Sequence, residues 1–127
     1  MNVRPVRVYA IGDIARKAGL TPRTIRYYED IGLLASVRRV EGGRRVYTDD
    51  DLRRLKFITR LKVLGLSLDE MKELEDLYLT HRSNDQVLPH LMELLDRHLR
   101  TIASRIEQLS TLQRDIEDYK RHLMSKI

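Results

Sequence analysis

From Leu88 to Leu123 the chain carries a seven-residue repeat that a single small domain cannot absorb. Leu88, Leu95, Ile102, Leu109, Ile116 and Leu123 occupy one seam position, and Leu91, His98, Arg105, Leu112 and Tyr119 occupy the other. Apolar residues returning every 3.5 positions mark a helix that supercoils around a partner. Leu99 and Ile106 stand beside the polar His98 and Arg105, so the apolar stripe widens at mid-helix instead of breaking. As continuous helix the span is about 53 Å long, too long to fold back on a domain of this size. The most economical partner is the same helix of a second copy. Leu88, Leu91, Leu95, Leu99, Ile102, Ile106, Leu109, Leu112, Ile116, Tyr119 and Leu123 are therefore expected to form a dimer interface, with Pro89 in or before the first turn.

Charge separates this helix from what precedes it. Residues 1–65 hold 15 Lys/Arg against 7 Asp/Glu, and residues 66–127 hold 9 against 12. The net +5 is thus a basic head joined to a mildly acidic remainder, which points to an anionic partner for the head, such as nucleic acid. The expected division is a DNA-binding domain with linking helices over residues 1–82 and a dimerisation helix over residues 83–127.

Within the head, GDIARKAG reads as a helix of two turns, with Gly12 as N-cap, Ile14, Ala15 and Ala18 on one face, and Gly19 closing it. Thr21 then caps a second helix whose first position is Pro22, where a missing N–H costs nothing, and which ends near Gly32. Two short helices across a tight turn make a helix-turn-helix. At 100° per residue Ile25 and Glu29 share one side with Gly32, while Arg23, Arg26, Tyr27 and Asp30 cluster on the other. A helix with that second face suits the edge of a DNA groove: arginine pairs with phosphate or guanine, and tyrosine and Thr21 hydroxyls reach phosphate oxygens.

Next, SVRRVEGGRRVY alternates valine with arginine around Gly42 and Gly43. This is a hairpin signal, with Val37, Val40 and Val46 on strands and Arg38, Arg39, Arg44 and Arg45 around the turn. A basic hairpin beside a recognition helix is a wing, and its arginines suit phosphates or a minor groove. Thr48 and Asp51 form the signature of a capping box opening a third helix, with Leu52, Leu55, Ile58, Leu61 and Leu64 on its core face and Gly65 ending it. Ser67 and Glu70 repeat the signature for a fourth helix that turns Leu68, Met71, Leu74 and Leu77 or Tyr78 inward and ends before HRSND. The fold class is mainly α.

Several classes drop out. The 127 residues contain no cysteine, which excludes disulfides, thiolate metal sites and a cysteine nucleophile. No apolar run reaches membrane-span length and no signal-peptide core opens the chain, so no membrane is expected and the cytoplasm is. There is no Gly-rich phosphate loop, catalytic carboxylate pair or activated nucleophile, so no enzyme, catalytic residue or cofactor is expected. His81, His90, His98 and His122 never fall two to a helical turn, and no metal site is assigned.

GDIARKAGLTPRTIRYYEDIGLL and GGRRVYTDDDLRRLKFITRLKVLGLSLDEMKEL resemble the DNA-binding half of the MerR family of bacterial transcription regulators, from about Tyr9 to Leu77. The resemblance implies a winged helix-turn-helix, a homodimer held by an antiparallel coiled coil, and a two-fold operator in an overlong promoter spacer. The family distorts that DNA so that RNA polymerase can use misaligned promoter elements. By matching motifs, Arg23, Arg26, Tyr27 and Tyr28 are implied as recognition-helix contacts, Arg44, Arg45 and Tyr47 as wing contacts or supports, and Arg54 as a third-helix residue close to the DNA backbone. Metal-sensing members have a cysteine at the start of the long helix and a metal-binding loop after it, whereas this sequence lacks cysteine and stops four residues past Leu123.

A weaker similarity, in RLKVLGLSLDEMKELEDLY and LQRDIEDY, is to short members that govern branched-chain amino-acid and fatty-acid degradation and answer to acyl-CoA thioesters. It implies an organic effector; without cysteines or a metal loop, the expected site is where the fourth helix and HRSND meet the partner's long helix, at Leu77, Tyr78, Leu79, His81 and Arg82 with Tyr119 from the other chain. The rival class is an architectural or recombination-accessory DNA binder that bends DNA without an effector. Such proteins seldom need a long dimerising helix, so the heptads argue against it.

Overall fold

The computed structural model describes residues 7–34, 40–42 and 44–127. The chain forms two compact units, Met1–His90 and Leu91–Ile127. In the first, β1 (Val8–Tyr9) runs straight into α1 (Ile11–Ala18), so the chain turns at Ala10 and not at Gly12 as the sequence suggested. The Ala10 carbonyl accepts from the N–H groups of Asp13 and Ile14 at 3.1 and 3.0 Å, which leaves Gly12 inside the first helical turn.

Gly19 ends α1 at φ 71°, a left-handed conformation that penalises side chains. One residue later Thr21 caps α2 (Pro22–Asp30): its hydroxyl accepts from the N–H of Thr24 at 3.1 Å, and Pro22 stands at the helix start. The helix-turn-helix thus follows from the two expected local signals. Past α2, the N–H groups of Leu33 and Leu34 return to the Tyr28 carbonyl and both leucines are buried.

A hairpin of β2 (Val40–Glu41) and β3 (Arg44–Arg45) pairs Val40 with Arg45 and Glu41 with Arg44. Val37, Arg38, Arg39 and Gly43, expected in this hairpin, lie outside the described residues. Val46, expected on a strand, sits half-buried between β3 and β4 (Tyr47–Thr48). β4 pairs antiparallel with β1, setting Tyr9 opposite Tyr47. The sequence did not disclose this ladder.

α3 (Asp49–Val63) opens with the expected capping box: Thr48 Oγ1 accepts from Asp51 N–H at 3.4 Å and Asp51 Oδ2 from Thr48 N–H at 2.7 Å. Leu55, Ile58 and Leu61 are buried on its inner face. Leu64 does not join them: the helix ends at Val63, and Leu64 is half exposed at its C-cap. α4 (Leu68–His81) has the second capping box, Ser67 with Glu70, and buries Met71 and Leu74. It runs through His81, further than HRSND suggested, and Arg82 closes it at φ 50°. Together with Ile14, Ala15, Ile25, Tyr28 and Tyr47 these side chains form one core.

α5 (Val87–Met124) begins in the first unit, with Pro89 in its opening turn, and makes up the second. From Leu99 to Leu123 the apolar seam residues Leu99, Ile102, Ile106, Leu109, Leu112, Ile116, Tyr119 and Leu123 are 46–65% exposed. Leu91 and Leu95 are half-buried, and Leu88, which belongs to the first unit, is exposed. Among the described residues no helix is long and apolar enough to cross a membrane.

Candidate nucleic-acid interface

The period of α2 assigns its side chains to two faces. Ile25, Tyr28 and Glu29 are buried, while Arg23, Arg26, Tyr27 and Asp30 are exposed, as 100° spacing requires. Thr21 is exposed, with its hydroxyl engaged in the cap, and Pro22 is half-buried. Tyr28 corrects the motif-based expectation: only 2% exposed, it is a core residue and cannot reach an external ligand. Its ring centroid lies 6.1 Å from that of the outward Tyr27.

Glu29 is the unusual member of the inner face, a carboxylate only 1% exposed. Its Oε1 accepts the Tyr47 hydroxyl at 2.5 Å, and its Oε2 pairs with Nη1 of Arg45. A buried charge needs such partners, since an isolated carboxylate in an apolar interior is very costly. Burial raises the Tyr47 pKa above its ordinary value, opposed by the nearby charges of Arg45 and Arg26. Tyr47 is therefore a support for the hairpin, not a surface contact, because it is 1% exposed. Arg45 spans both worlds: one nitrogen holds Glu29 while its side chain remains about half exposed.

Arg23, Arg26 and Arg44 are exposed and make no ion pair among the described residues. On α2 and the described part of the hairpin they are free to meet an external anion. Arg54 is not one of them. Its guanidinium pairs with the buried Glu75 and lies over the Tyr78 ring at 4.8 Å, which engages it in the α3–α4 contact and leaves its side chain 25% exposed. Arg38 and Arg39 lie outside the described residues.

Also within the first unit, a cavity of about 520 Å³ opens between α3, α4 and the start of α5. Phe57, Leu61, Met71, Leu74, Val87 and Leu88 give it an apolar part, Asp50, Asp51, Arg53, Arg54 and Glu75 a charged one, and Tyr78 and Arg82 of the expected effector set also line it. Leu77 and Leu79 are half-buried elsewhere, His81 is exposed, and Tyr119 belongs to the second unit. No group of three or more His, Cys, Asp or Glu suited to a metal ion occurs among the described residues.

A helix-turn-helix whose second helix is flanked by a basic hairpin defines a winged helix-turn-helix protein. This chain belongs to the MerR family: the model described as "MerR HTH family regulatory protein" matches residues 9–77, and that described as "MerR, DNA binding" matches residues 52–119. It is 40% identical over 112 residues to an uncharacterised HTH-type transcriptional regulator of Pseudomonas aeruginosa, spanning 88% of this chain and 83% of that one. With the transcriptional regulator ZntR of Escherichia coli it shares 36% identity over 110 residues, 87% of this chain and 77% of ZntR. Among solved structures, PbrR691 from Ralstonia metallidurans, in complex with lead(II), superposes with a TM-score of 0.67 at 31% identity, covering 89% of this chain and 86% of that one. HiNmlR, a MerR family regulator lacking the sensor domain and bound to promoter DNA, gives 0.62 at 27% identity over 80% of this chain and 77% of that one.

Proposed function

We propose that this MerR-family regulator acts in the cytoplasm as a homodimer that binds a two-fold operator in a promoter spacer. It distorts the DNA there for RNA polymerase and is tuned by a small organic effector. The carrying observation is the outward face of α2, where Arg23, Arg26 and Tyr27 are exposed beside Arg44 of the hairpin, with no carboxylate pairing the three arginines among the described residues. Such a helix fits a major groove and such a hairpin its flanking phosphates. The complex of HiNmlR with promoter DNA supports the same class of ligand here. Dimerisation is supported by the exposed seam of α5, whose apolar surface in water calls for a partner.

An acyl-CoA thioester is the effector class we favour. Its support is the absence of thiolate ligands from these 127 residues and the cavity whose lining combines apolar side chains with Tyr78 and Arg82. The lead(II) complex of PbrR691 favours a second reading, a metal effector held by oxygen and nitrogen donors. The function is tested by incubating the protein with sheared genomic DNA, sequencing the retained fragments and footprinting them. A protected palindrome inside a promoter spacer is the expected result. Retention without a common sequence would instead indicate an architectural DNA binder.

A further inference from the structure

The buried carboxylate of Glu29 lies under the surface offered to DNA, where a negative charge opposes binding unless it has another task. Its two oxygens are held from two directions. Tyr47, anchored in the β1–β4 ladder, donates to Oε1 at 2.5 Å, and Arg45, on the outer hairpin, pairs with Oε2. Glu29 itself is fixed in α2, with Ile25 and Tyr28 buried on the same side. The carboxylate thus ties the recognition helix to the hairpin through a guanidinium that is still 46% exposed.

We infer that Glu29 is a positioning residue for the hairpin's DNA contact: it holds Arg45 by one edge and aims the remaining donors of that side chain at a backbone phosphate. A guanidinium carries five donors in a rigid plane, so fixing one edge fixes the direction of the others. An arginine held this way before DNA arrives loses less freedom on binding than one waving in solvent. Fixing the hairpin to α2 also sets the spacing between groove contact and phosphate contact, which makes the pair sensitive to groove geometry. Lysine at position 45 cannot serve both partners in one plane, although it keeps the charge.

This inference rests on the DNA-binding reading above, and a charge-sign test separates the two. Glu29→Gln keeps the shape and removes a negative charge, so simple electrostatics predicts equal or tighter binding. Positioning predicts the opposite, a loss of roughly tenfold or more, the worth of one charge-assisted hydrogen bond. Affinity for a selected promoter fragment is measured for Glu29→Gln, Arg45→Ala and the double variant, with thermal melting of each alongside. If Glu29 acts through Arg45, Glu29→Gln changes nothing further in the Arg45→Ala background. Arg45→Lys, which leaves the fold's charge count intact, should also lose roughly tenfold and decides the matter should Glu29→Gln not fold. Unchanged or tighter binding by Glu29→Gln, the same loss from it without Arg45, or wild-type affinity in Arg45→Lys overturns the inference. A wild-type protein that selects no promoter DNA overturns the DNA-binding reading and this inference with it.

Discussion

The Tyr9 hydroxyl donates to Asp49 Oδ1 at 2.6 Å, joining β1 to the first residue of α3 across 40 positions of sequence. That bond, and then burial, raise the Tyr9 pKa above its ordinary 10.0, and burial raises that of Tyr47 from the same value. The folded chain therefore keeps protons that the unfolded chain gives up from pH 10 upward. Since both folded-state values are raised, this contribution to stability is complete below the unfolded value and is lost as the pH rises through the folded ones. Melting followed from about pH 8 to about pH 11 should show the decline, and a Tyr9→Phe, Tyr47→Phe double variant should show a shallower one. Parallel curves would mean that the two phenols do not link folding to pH.

The two capping boxes should differ in worth because their surroundings differ. Thr48 and Asp51 are buried, whereas Ser67 is exposed and Glu70 half-exposed. Thr48→Ala leaves the buried Asp51 N–H without its acceptor and should cost about 2 kcal/mol, the upper end for a cap. Ser67→Ala leaves the Glu70 N–H to water and should cost about 0.5–1 kcal/mol. Urea unfolding of both variants checks the order, and a reversed order would show that burial does not set the cost.

What could be read in the sequence was local. Thr21 with Pro22, Thr48 with Asp51, and Ser67 with Glu70 each announce a helix within four residues, and each appears where expected. The β1–β4 ladder could not be read that way. Its strands are two residues long, too short for any alternation to register, and its partners are far apart in the chain. Tyr28 was a different kind of miss. Its 100° steps from Ile25 and Glu29 place it inward, whereas the family motif implies both tyrosines as contacts. Periodicity also set Glu29 inward beside Ile25, yet nothing local to residue 29 names Tyr47 and Arg45 as its partners.

Along α5, Ile102 and Leu109 are 50% and 65% exposed at consecutive repeats of the same seam position. In a dimer they would meet the partner's seam, and charges placed there would face each other without compensation. Ile102→Asp with Leu109→Asp should shift sedimentation from dimer to monomer while the first unit keeps its helical signal. A dimer that survives both substitutions would place the interface elsewhere.

DNA affinity should fall steeply with salt, because each phosphate contact adds to the slope of log K against log salt. Arg44 is the exposed arginine of the hairpin without an ion pair among the described residues, so Arg44→Ala should weaken binding to every sequence alike and lower the slope by about 1. Arg23 lies in the first turn of α2, and Arg23→Ala should in addition flatten the preference among operators, by about 1–3 kcal/mol at one base pair. Equal losses on operator and random DNA for both variants would sink this division of labour.

The effector reading makes a demand on the cavity between α3, α4 and the start of α5. Its apolar walls suit an acyl chain, and Arg82 at its edge makes no ion pair among the described residues, so it is available to an anionic group. A ligand that binds the folded protein alone at a hundred times its Kd adds about 2.7 kcal/mol, enough to raise the melting temperature by several degrees. Acyl-CoA thioesters of graded chain length should therefore raise it, and the best of them should alter operator affinity. Leu61→Trp, which fills the apolar wall, should abolish the shift, as should Arg82→Glu, which repels the anion. Because the walls also hold the core together, each variant must first melt cooperatively without ligand for its silence to count. Divalent metals run in the same plate address the rival: a response to zinc or lead alone, untouched by Leu61→Trp, would move the effector site out of the cavity and onto oxygen and nitrogen donors. No response to either class would leave a DNA-binding dimer whose occupancy is set by its own concentration.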